Sequence, residues 1–569
     1  MTQLIECVPN FSEGQNQQSI AAIRAAIASV KGIQILDIKP GIADHRTVFT
    51  FVGEPDIVVE AAFLGIQEAQ KRIDMRKHRG EHPRMGATDV CPLIPIRNIT
   101  LEECSLWARR LGKRVGEELH IPVYLYEAAA TTPQRTRLPD IRRGEYEGLA
   151  KKMTDPNWKP DYGPLVFDDQ VAKSGASVIG ARPFLIAWNV NLSTLNQRKA
   201  EKIASKIREM GYVLRDENGN PQKDSQGQSL KEPGMFKKIN AIGWTIEEYG
   251  CCQISINITD HHVSPIHEVY DAIQKLALEE GVVVTGSELV GLIPEEALYK
   301  AGIHYLKRAG ENPGRCIDDV IEMAIRSLGL NDLSPFDPNL AILERQLQKT
   351  GPLISLSTKG FVDVLSSIAP APGGGSTAAL AGALSCGLSA MVAQLSTKPS
   401  KKSWPYGTER PDSWYIYDDL GQNAQRAKEE FLVDVDSDSA AFDQIMDAMR
   451  LPKGTAEEKQ KRSEALEKAT IGAIEVPMRN LQRAKNAVDF AKIAITGNPN
   501  ALSDAGVAAS MARSCAEGAW MNVRINIKDL KNSDLQQKYA IEADSLLEEI
   551  RTEVASIIQI VESKLRSST

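Results

Sequence analysis

The sequence predicts an α+β fold, two ferredoxin-like βαββαβ subdomains, followed by an all-α helical bundle domain. Three observations carry the prediction. Short apolar runs of period two alternate with runs of period 3.6 along the front of the chain. The string strand–helix–strand–strand–helix–strand occurs twice in succession, which suits a sheet covered by helices on one face. Beyond a stretch broken by Pro335, Pro338 and Pro352, only helical periodicity remains.

In the first string, strands are expected near 4–8, 33–38, 47–52, 90–96 and 123–126, with helices near 17–30, 56–73 and 101–119. Gly and Pro punctuation, such as Lys39-Pro40-Gly41, sets the breaks. The second string places strands near 184–192, 239–245, 253–259 and 282–285, and helices near 197–210 and 267–279. An exposed loop at 216–233, rich in Asn, Gly, Ser and Gln, interrupts it. Helices then follow near 359–368, 376–394, 417–449, 456–495, 500–526 and 534–565. The expected domains are 1–181, 182–333, a linker at 334–357, and a helical domain at 358–569. At 569 residues the chain exceeds a single core.

Lys and Arg number 67 against 74 Asp and Glu, a net charge of -7. That balance argues against nucleic acid as a partner. The 8 cysteines form no CxxC pair and no signal peptide opens the chain, so a reduced cytoplasmic protein is expected. Vicinal Cys251 and Cys252 read as packing groups. No charge occurs between Val364 and Thr397. The small residues there, including Ala379, Ala383 and Gly387 at four-residue spacing, suit a helix buried in a bundle or interface better than a membrane span.

All 8 histidines lie between His45 and His304, so imidazole chemistry belongs to the front of the chain. The densest polar cluster is Glu81-His82-Pro83-Arg84-Met85-Gly86-Ala87-Thr88-Asp89. Pro83 and Gly86 hold it out of a helix, and its neighbours can tune the His82 imidazole for acid/base work; the same loop suits plain turn capping. Val8-Pro9-Asn10-Phe11-Ser12-Glu13-Gly14 reads as a strand-to-helix junction with Ser12 as a cap or its amides as a carboxylate site. The loop from Asp161 to Ala176 suits either a stacked heteroaromatic ligand or a connector. His261, His262 and His267 lack the companions of a familiar zinc spacing, and no metal is expected. Pro372-Gly373-Gly374-Gly375-Ser376 opens a helix but lacks the ending of a nucleotide loop. In the tail, Asp434 and Asp438 share a helical face; mutual repulsion would let one keep its proton, unless the face is simply solvated.

Several motifs together resemble the formimidoyltransferase-cyclodeaminase family. Leu4-Ile5-Glu6-Cys7-Val8-Pro9-Asn10-Phe11-Ser12-Glu13-Gly14, Gly80-Glu81-His82-Pro83-Arg84-Met85-Gly86, Ala241-Ile242-Gly243-Trp244 and Val290-Gly291-Leu292-Ile293-Pro294 are similar to its formiminotransferase part. Ala371-Pro372-Gly373-Gly374-Gly375-Ser376, Val435-Asp436-Ser437-Asp438-Ser439-Ala440-Ala441-Phe442, Leu451-Pro452-Lys453 and Asn522-Val523-Arg524-Ile525-Asn526 are similar to its cyclodeaminase part.

The resemblance implies transfer of a formimino group from N-formimino-L-glutamate to tetrahydrofolate. Cyclisation of 5-formiminotetrahydrofolate to 5,10-methenyltetrahydrofolate would follow, with release of ammonia. It implies His82 as the transferase acid/base and Asp438 as the deaminase acid. It also implies folate contacts by Gly163, Pro164, Leu165, Val166, Phe167, Ser174 and Gly175. Arg84 and Arg182 are candidates for the substrate carboxylates by nearness to the motifs. Tetrahydrofolate, as polyglutamate, would be a co-substrate with no tightly bound cofactor. The expected assembly is a homo-oligomer with dimer contacts in both halves, and neither a membrane nor nucleic acid is expected as a partner. Alternatives for the tail are a methenyltetrahydrofolate cyclohydrolase-like domain or a purely oligomerising one. Against animal members, the 163–175 loop is longer, Lys39 replaces an acid near Asp37, and 398–414 is an insertion read as a surface lid or collar.

Overall fold

The computed structural model describes residues 3–42, 45–80, 82–216, 220–246, 249–347, 351–397 and 409–567. Most of the 398–414 insertion, and Glu81, therefore lie outside the described residues. The chain divides into two compact units, 1–294 with 330–346, and 295–329 with 347–569.

The front unit opens with β1 (Leu4–Cys7), β2 (Asn10–Phe11), α1 (Gln17–Ala28), β3 (Gln34–Gly41), β4 (Arg46–Gly53), α2 (Pro55–Arg72) and β5 (Thr88–Arg97). Pro9 separates β1 from β2, and both pair with β4 and with β5. The resulting order β3–β4–β1/β2–β5 is that of a βαββαβ unit. α3 (Leu101–Glu118), β6 (Val123–Glu127), α4 (Leu138–Arg142), α5 (Leu149–Thr154), α6 (Asp169–Ser174) and β7 (Ser177–Ala181) follow. β7 inserts parallel between β5 and β6 and widens the sheet.

Side-chain alternation along these strands builds the site. Ile5 and Cys7 on β1, Phe49 and Phe51 on β4, and Cys91 and Leu93 on β5 pack with α1, α2 and α3 in one apolar core. The residues between them, Glu6, Val48, Thr50, Val90 and Pro92, turn to the opposite face and line a cavity.

The second sheet comprises β8 (Ile186–Leu192), β11 (Ile239–Ile246), β12 (Cys251–Ile258) and β13 (Val284–Val290), with α7 (Gln197–Ile207) and α8 (Ile266–Glu279). Its order, β11–β12–β8–β13, repeats the first motif. β9 (Tyr212–Val213) and β10 (Lys231–Glu232) close the largely exposed insertion between α7 and β11.

The helical unit begins earlier than the sequence suggested. Residues 295–328, for which no helix was expected, fall in the expected 182–333 subdomain, yet they form α9 (Glu295–Ala309) and α10 (Ile317–Leu328) and belong to the compact unit of the tail. Polar stitching accounts for this. Lys307 pairs with buried Asp418 at 2.7 Å, Asn312 donates to Thr397 at 2.9 Å, and Gln394 donates to the Gly314 carbonyl at 2.8 Å. Conversely α11 (Pro338–Ala341) and α12 (Leu343–Leu347), in the expected linker, begin within the front unit, where Leu343 N donates to Ile293 O.

α13 (Thr358–Leu365), α14 (Gly374–Thr397), α15 (Asp412–Arg450), α16 (Ala456–Ala494), α17 (Leu502–Asn526) and α18 (Ser533–Ser567) complete the bundle. A capping box between Thr455 and Glu458 fixes the start of α16. α14 is long and apolar enough to cross a membrane, but Ala379, Ala383, Cys386 and Ala390 are buried within the bundle. Its close contacts are not all where the four-residue spacing put them: Gly387 meets no neighbour, whereas Gly382 lies against the Phe431 ring and Gly375 against Asp438.

A methyl at Gly382 therefore meets a wholly buried aromatic. Gly382→Ala is expected to destabilise the helical unit by about 1–3 kcal/mol through overpacking, seen as a lower urea midpoint with α-helical circular dichroism retained at zero denaturant.

Candidate active site

The cavity on the open face of the first sheet holds about 300 Å³ and is also lined by Ala187, Asn257 and Val290 of the second sheet, within the same unit. His82 reaches it from the Pro/Gly loop before β5. Its Nδ1 lies 2.7 Å from Arg46 Nη1 and 2.8 Å from Pro83 O. A neutral ring serves one of these at a time. Accepting from Arg46 leaves the proton on Nε2; donating to Pro83 leaves Nε2 a base. Burial, then the charges of Arg46 and Arg142, push the His82 pKa down to about 4, so the ring is neutral near pH 7.

Asp89 is the counter-charge. Its carboxylate is buried, accepts from Arg46 Nη1 at 2.9 Å and from the Met85 amide at 2.9 Å, and is tightly paired with Arg142 Nη2. Burial alone would raise its pKa; Arg142 and Arg46 outweigh that and hold it below the usual value. Asn10 completes the group, accepting from Arg46 Nε and Nη2 at 2.9 and 2.6 Å. Lys39, Tyr126, Arg142 and Arg182 also line the cavity. An adjoining cavity of about 620 Å³ shares Tyr126, Arg142 and Arg182 and adds Arg137, Arg208 and Lys238.

Arg84 is a correction. It is buried away from the cavity and engaged by Glu147 at 2.6 and 2.9 Å, Glu145 at 3.1 Å and His78 at 3.3 Å. Those partners occupy its guanidinium, so it is not available to a substrate carboxylate. Arg182 does line the cavity. Of the 163–175 residues, Leu165 and Val166 are exposed and Phe167 packs against the apolar cluster that contains Tyr124 and Tyr126. Gly163, with φ +88°, fits closely under the Ile121 carbonyl. Ser174 and Gly175 back the His82 loop: Ala87 N donates to Ser174 O, Ala176 N to Met85 O, and Gly86 bridges Gly175. None of the seven, Pro164 included, lines the cavity that His82 enters.

Sequence reasoning missed Arg46, Arg142, Asn10 and Glu6. Arg46 and Arg142 lie far along the chain from the loop they join, and no local signal marks them. Glu6 had one: it is a lone charge inside an apolar strand.

In the tail, the three aspartates within residues 434–438 of α15 have different fates. Asp434 is buried in an ion pair with Arg479 and Arg483. Asp436 accepts from the Leu353 and Ile354 amides at 2.8 and 3.2 Å. Asp438 sits at the glycine-rich start of α14, where Ser376 Oγ donates at 3.3 Å and a side chain on Gly375 would collide with it. Its pKa is raised, chiefly by burial, with hydrogen bonds from Ser376 opposing and Asp434 adding least. The repulsion expected from Asp434 is thus minor, because two arginines neutralise that carboxylate.

Family models now bear on this geometry. One described as the formiminotransferase domain, N-terminal subdomain, matches residues 4–182; one described as the formiminotransferase domain matches 187–348; one described as formiminotransferase-cyclodeaminase matches 357–545. The formimidoyltransferase-cyclodeaminase of Mus musculus is 39% identical over 579 residues, covering 99% of this chain and 100% of the relative. The chain belongs to the formimidoyltransferase-cyclodeaminase family. The glutamate formimidoyltransferase of Thermoplasma acidophilum is 43% identical over 323 residues, covering 56% of this chain and 98% of its own length. The methenyltetrahydrofolate cyclohydrolase of Methylorubrum extorquens is 34% identical over 206 residues, covering 36% of this chain and 95% of its own. Like its family, the chain is bifunctional. It transfers the formimino group of N-formimino-L-glutamate to tetrahydrofolate and cyclises 5-formiminotetrahydrofolate to 5,10-methenyltetrahydrofolate with loss of ammonia.

Asp89→Asn would leave Arg46 and Arg142 without their buried counter-charge and is expected to cost about 3–5 kcal/mol. Because the folded pKa of Asp89 is lowered, its stabilisation is present above the unfolded value of about 4 and is lost as pH falls through the folded one. Urea unfolding from pH 7 to pH 3 should show that part of the acid loss in the parent chain and not in Asp89→Asn.

Proposed function

We propose that His82 moves the protons of formimino transfer and that Asp438 supplies the proton that expels ammonia. The arrangement of His82 between a donor and an acceptor, with Asp89 fixing Arg46, is the observation that carries the first assignment. Attack of tetrahydrofolate nitrogen-5 on the formimino carbon gives a tetrahedral centre bearing two competing amines. The neutral imidazole takes the nitrogen-5 proton on Nε2 while Nδ1–H points to Pro83 O. The same Nε2 proton then passes to the departing glutamate nitrogen as the carbon–nitrogen bond breaks. A low pKa keeps the ring unprotonated, a ready though weak base, and makes the imidazolium a strong acid for the second step.

Arg142 and Arg182, which line both cavities, and Lys39 supply positive charge for glutamate carboxylates. The 163–175 segment supports the His82 loop from behind and presents Leu165 and Val166 as the apolar folate contact. In the tail, the proton held on buried Asp438 passes to the nitrogen leaving 5-formiminotetrahydrofolate as nitrogen-10 closes the ring. Neither step needs a tightly bound cofactor or metal. Self-association through both halves and a cytoplasmic location complete the proposal. The Methylorubrum relative also favours a second reading of the tail, hydrolysis of the methenyl product, which the same assays resolve.

His82→Ala should reduce transfer by about 10²–10⁴-fold while ammonia release from supplied 5-formiminotetrahydrofolate continues; Asp438→Asn should do the reverse. Methenyl absorbance and ammonia, recorded together, check both. Loss of both activities in either folded variant contradicts two separate sites. With a His82 pKa near 4 in the ligand-free chain, the transferase kcat/KM for formiminoglutamate should rise through pH 4 and show no imidazole limb between pH 6 and 7. Turnover of methenyltetrahydrofolate faster than of 5-formiminotetrahydrofolate would favour the hydrolytic reading.

A further inference from the structure

One carboxyl of the cavity, Glu6, has no part in the transfer chemistry above. Glu6 is 2% exposed and lines the cavity. Among the described residues its carboxyl makes no hydrogen bond or ion pair. β1 pairs Glu6 with Val52 and Ile94, so its flanking strands bring no charge beside it. The charges that face it are Arg182, which attracts it, and Glu344, which repels it; Asp37, Lys39 and Tyr126 share the cavity. A buried carboxyl left unpaired at a ligand cavity is costly, and a ligand with two parallel N–H donors would relieve that cost.

The register gives the spacing. Glu6 lies opposite Val52 and Asn10 opposite Val48, four residues along β4, or about 13 Å of strand. Asn10 is joined to His82 through Arg46. In a reduced pterin the adjacent N3–H and 2-amino groups lie across the bicycle from nitrogen-5. The path from a carboxylate to N3, across the rings to nitrogen-5 and on to an imidazole is on the order of 10 Å. Two converging side chains take up the difference.

We propose that Glu6 holds the N3–H and 2-amino edge of tetrahydrofolate and thereby sets nitrogen-5 at His82. The inference rests on the folate reading above and adds the residue that determines recognition of the pterin. Burial, partly offset by Arg182, pushes the Glu6 pKa up to about 7, so the carboxyl by itself is partly protonated near neutrality. Two N–H donors favour the ionised form, so binding releases a proton. Between the ordinary carboxyl value and pH 7 the unfolded chain sheds a proton that the folded chain keeps. Stability therefore falls as pH rises through that window, and glutamine at this position escapes the loss.

The test compares the full chain with Glu6→Gln and Glu6→Asp. It measures equilibrium binding of tetrahydrofolate and of 2-desamino-tetrahydrofolate, steady-state transfer, and proton release on binding near pH 7. Glutamine turns an N–H₂ toward a ligand N–H, so Glu6→Gln should weaken tetrahydrofolate binding about 10- to 100-fold. Proton release should vanish, and the variant should be more stable than the parent above pH 7. The parent should prefer tetrahydrofolate to the desamino analogue, and Glu6→Gln should lose that preference. Should Glu6→Gln misfold, Glu6→Asp decides by the same preference ratio. Unchanged tetrahydrofolate affinity, or equal weakening for both ligands, overturns the inference while leaving transfer by His82 standing. A parent chain that transfers no formimino group overturns the functional reading and this inference with it.

Discussion

A carboxylate almost wholly removed from water, Asp89, holds two arginines that come from β4 and from α4. Each of those three charges is costly to bury alone, and they are tolerable only together. Arg46 could not otherwise lie 2.7 Å from His82, nor Arg142 line both cavities. The ion group thus does two things at once. It fixes the loop, through the Met85 amide, and it adds positive charge to the burial that chiefly keeps the His82 ring neutral where an ordinary histidine would begin to protonate.

The helical unit solves a related problem with different means. It has no histidine beyond α9, so a group able to hold a proton must be a carboxyl raised by its surroundings. Three aspartates within five residues of one helix are separated in function by what they meet. Asp434 meets arginines and is a structural charge. Asp436 meets backbone amides and ties the 351–354 turn to α15. Asp438 meets a glycine-rich helix start, is desolvated, and is bonded by a single serine. Gly375 permits this because any side chain there would occupy the carboxylate's place.

The two βαββαβ motifs present opposite chemistry on their two faces for an elementary reason. Alternation sends every second residue to the helices and the rest to open space. On β1, β4 and β5 the helix-facing set includes Ile5, Cys7, Phe49, Phe51, Cys91 and Leu93, while the other set includes Glu6 and Thr50 together with valines and a proline. A mixed face of this kind cannot be covered by another apolar layer, which leaves room for a ligand between the first sheet and residues of β8, β12 and β13.

Periodicity alone determined most elements of this protein: the two repeated strand–helix strings and the six helices of the tail lie close to their expected bounds, because period two and period 3.6 are written in consecutive residues. Motif likeness likewise marked His82 and Asp438. The tertiary structure decided which charges meet. Arg84, next to His82 in sequence, turns into a nest of glutamates, whereas Arg46 and Arg142, 36 residues before it and 60 after, converge on it. It also decided that α9 and α10 join the bundle, through Asn312, Lys307 and Gly314. Local sequence reports the conformation of a segment; pairing of buried charges depends on which face each segment turns inward and what arrives from elsewhere in the chain, and that is settled only when the core closes.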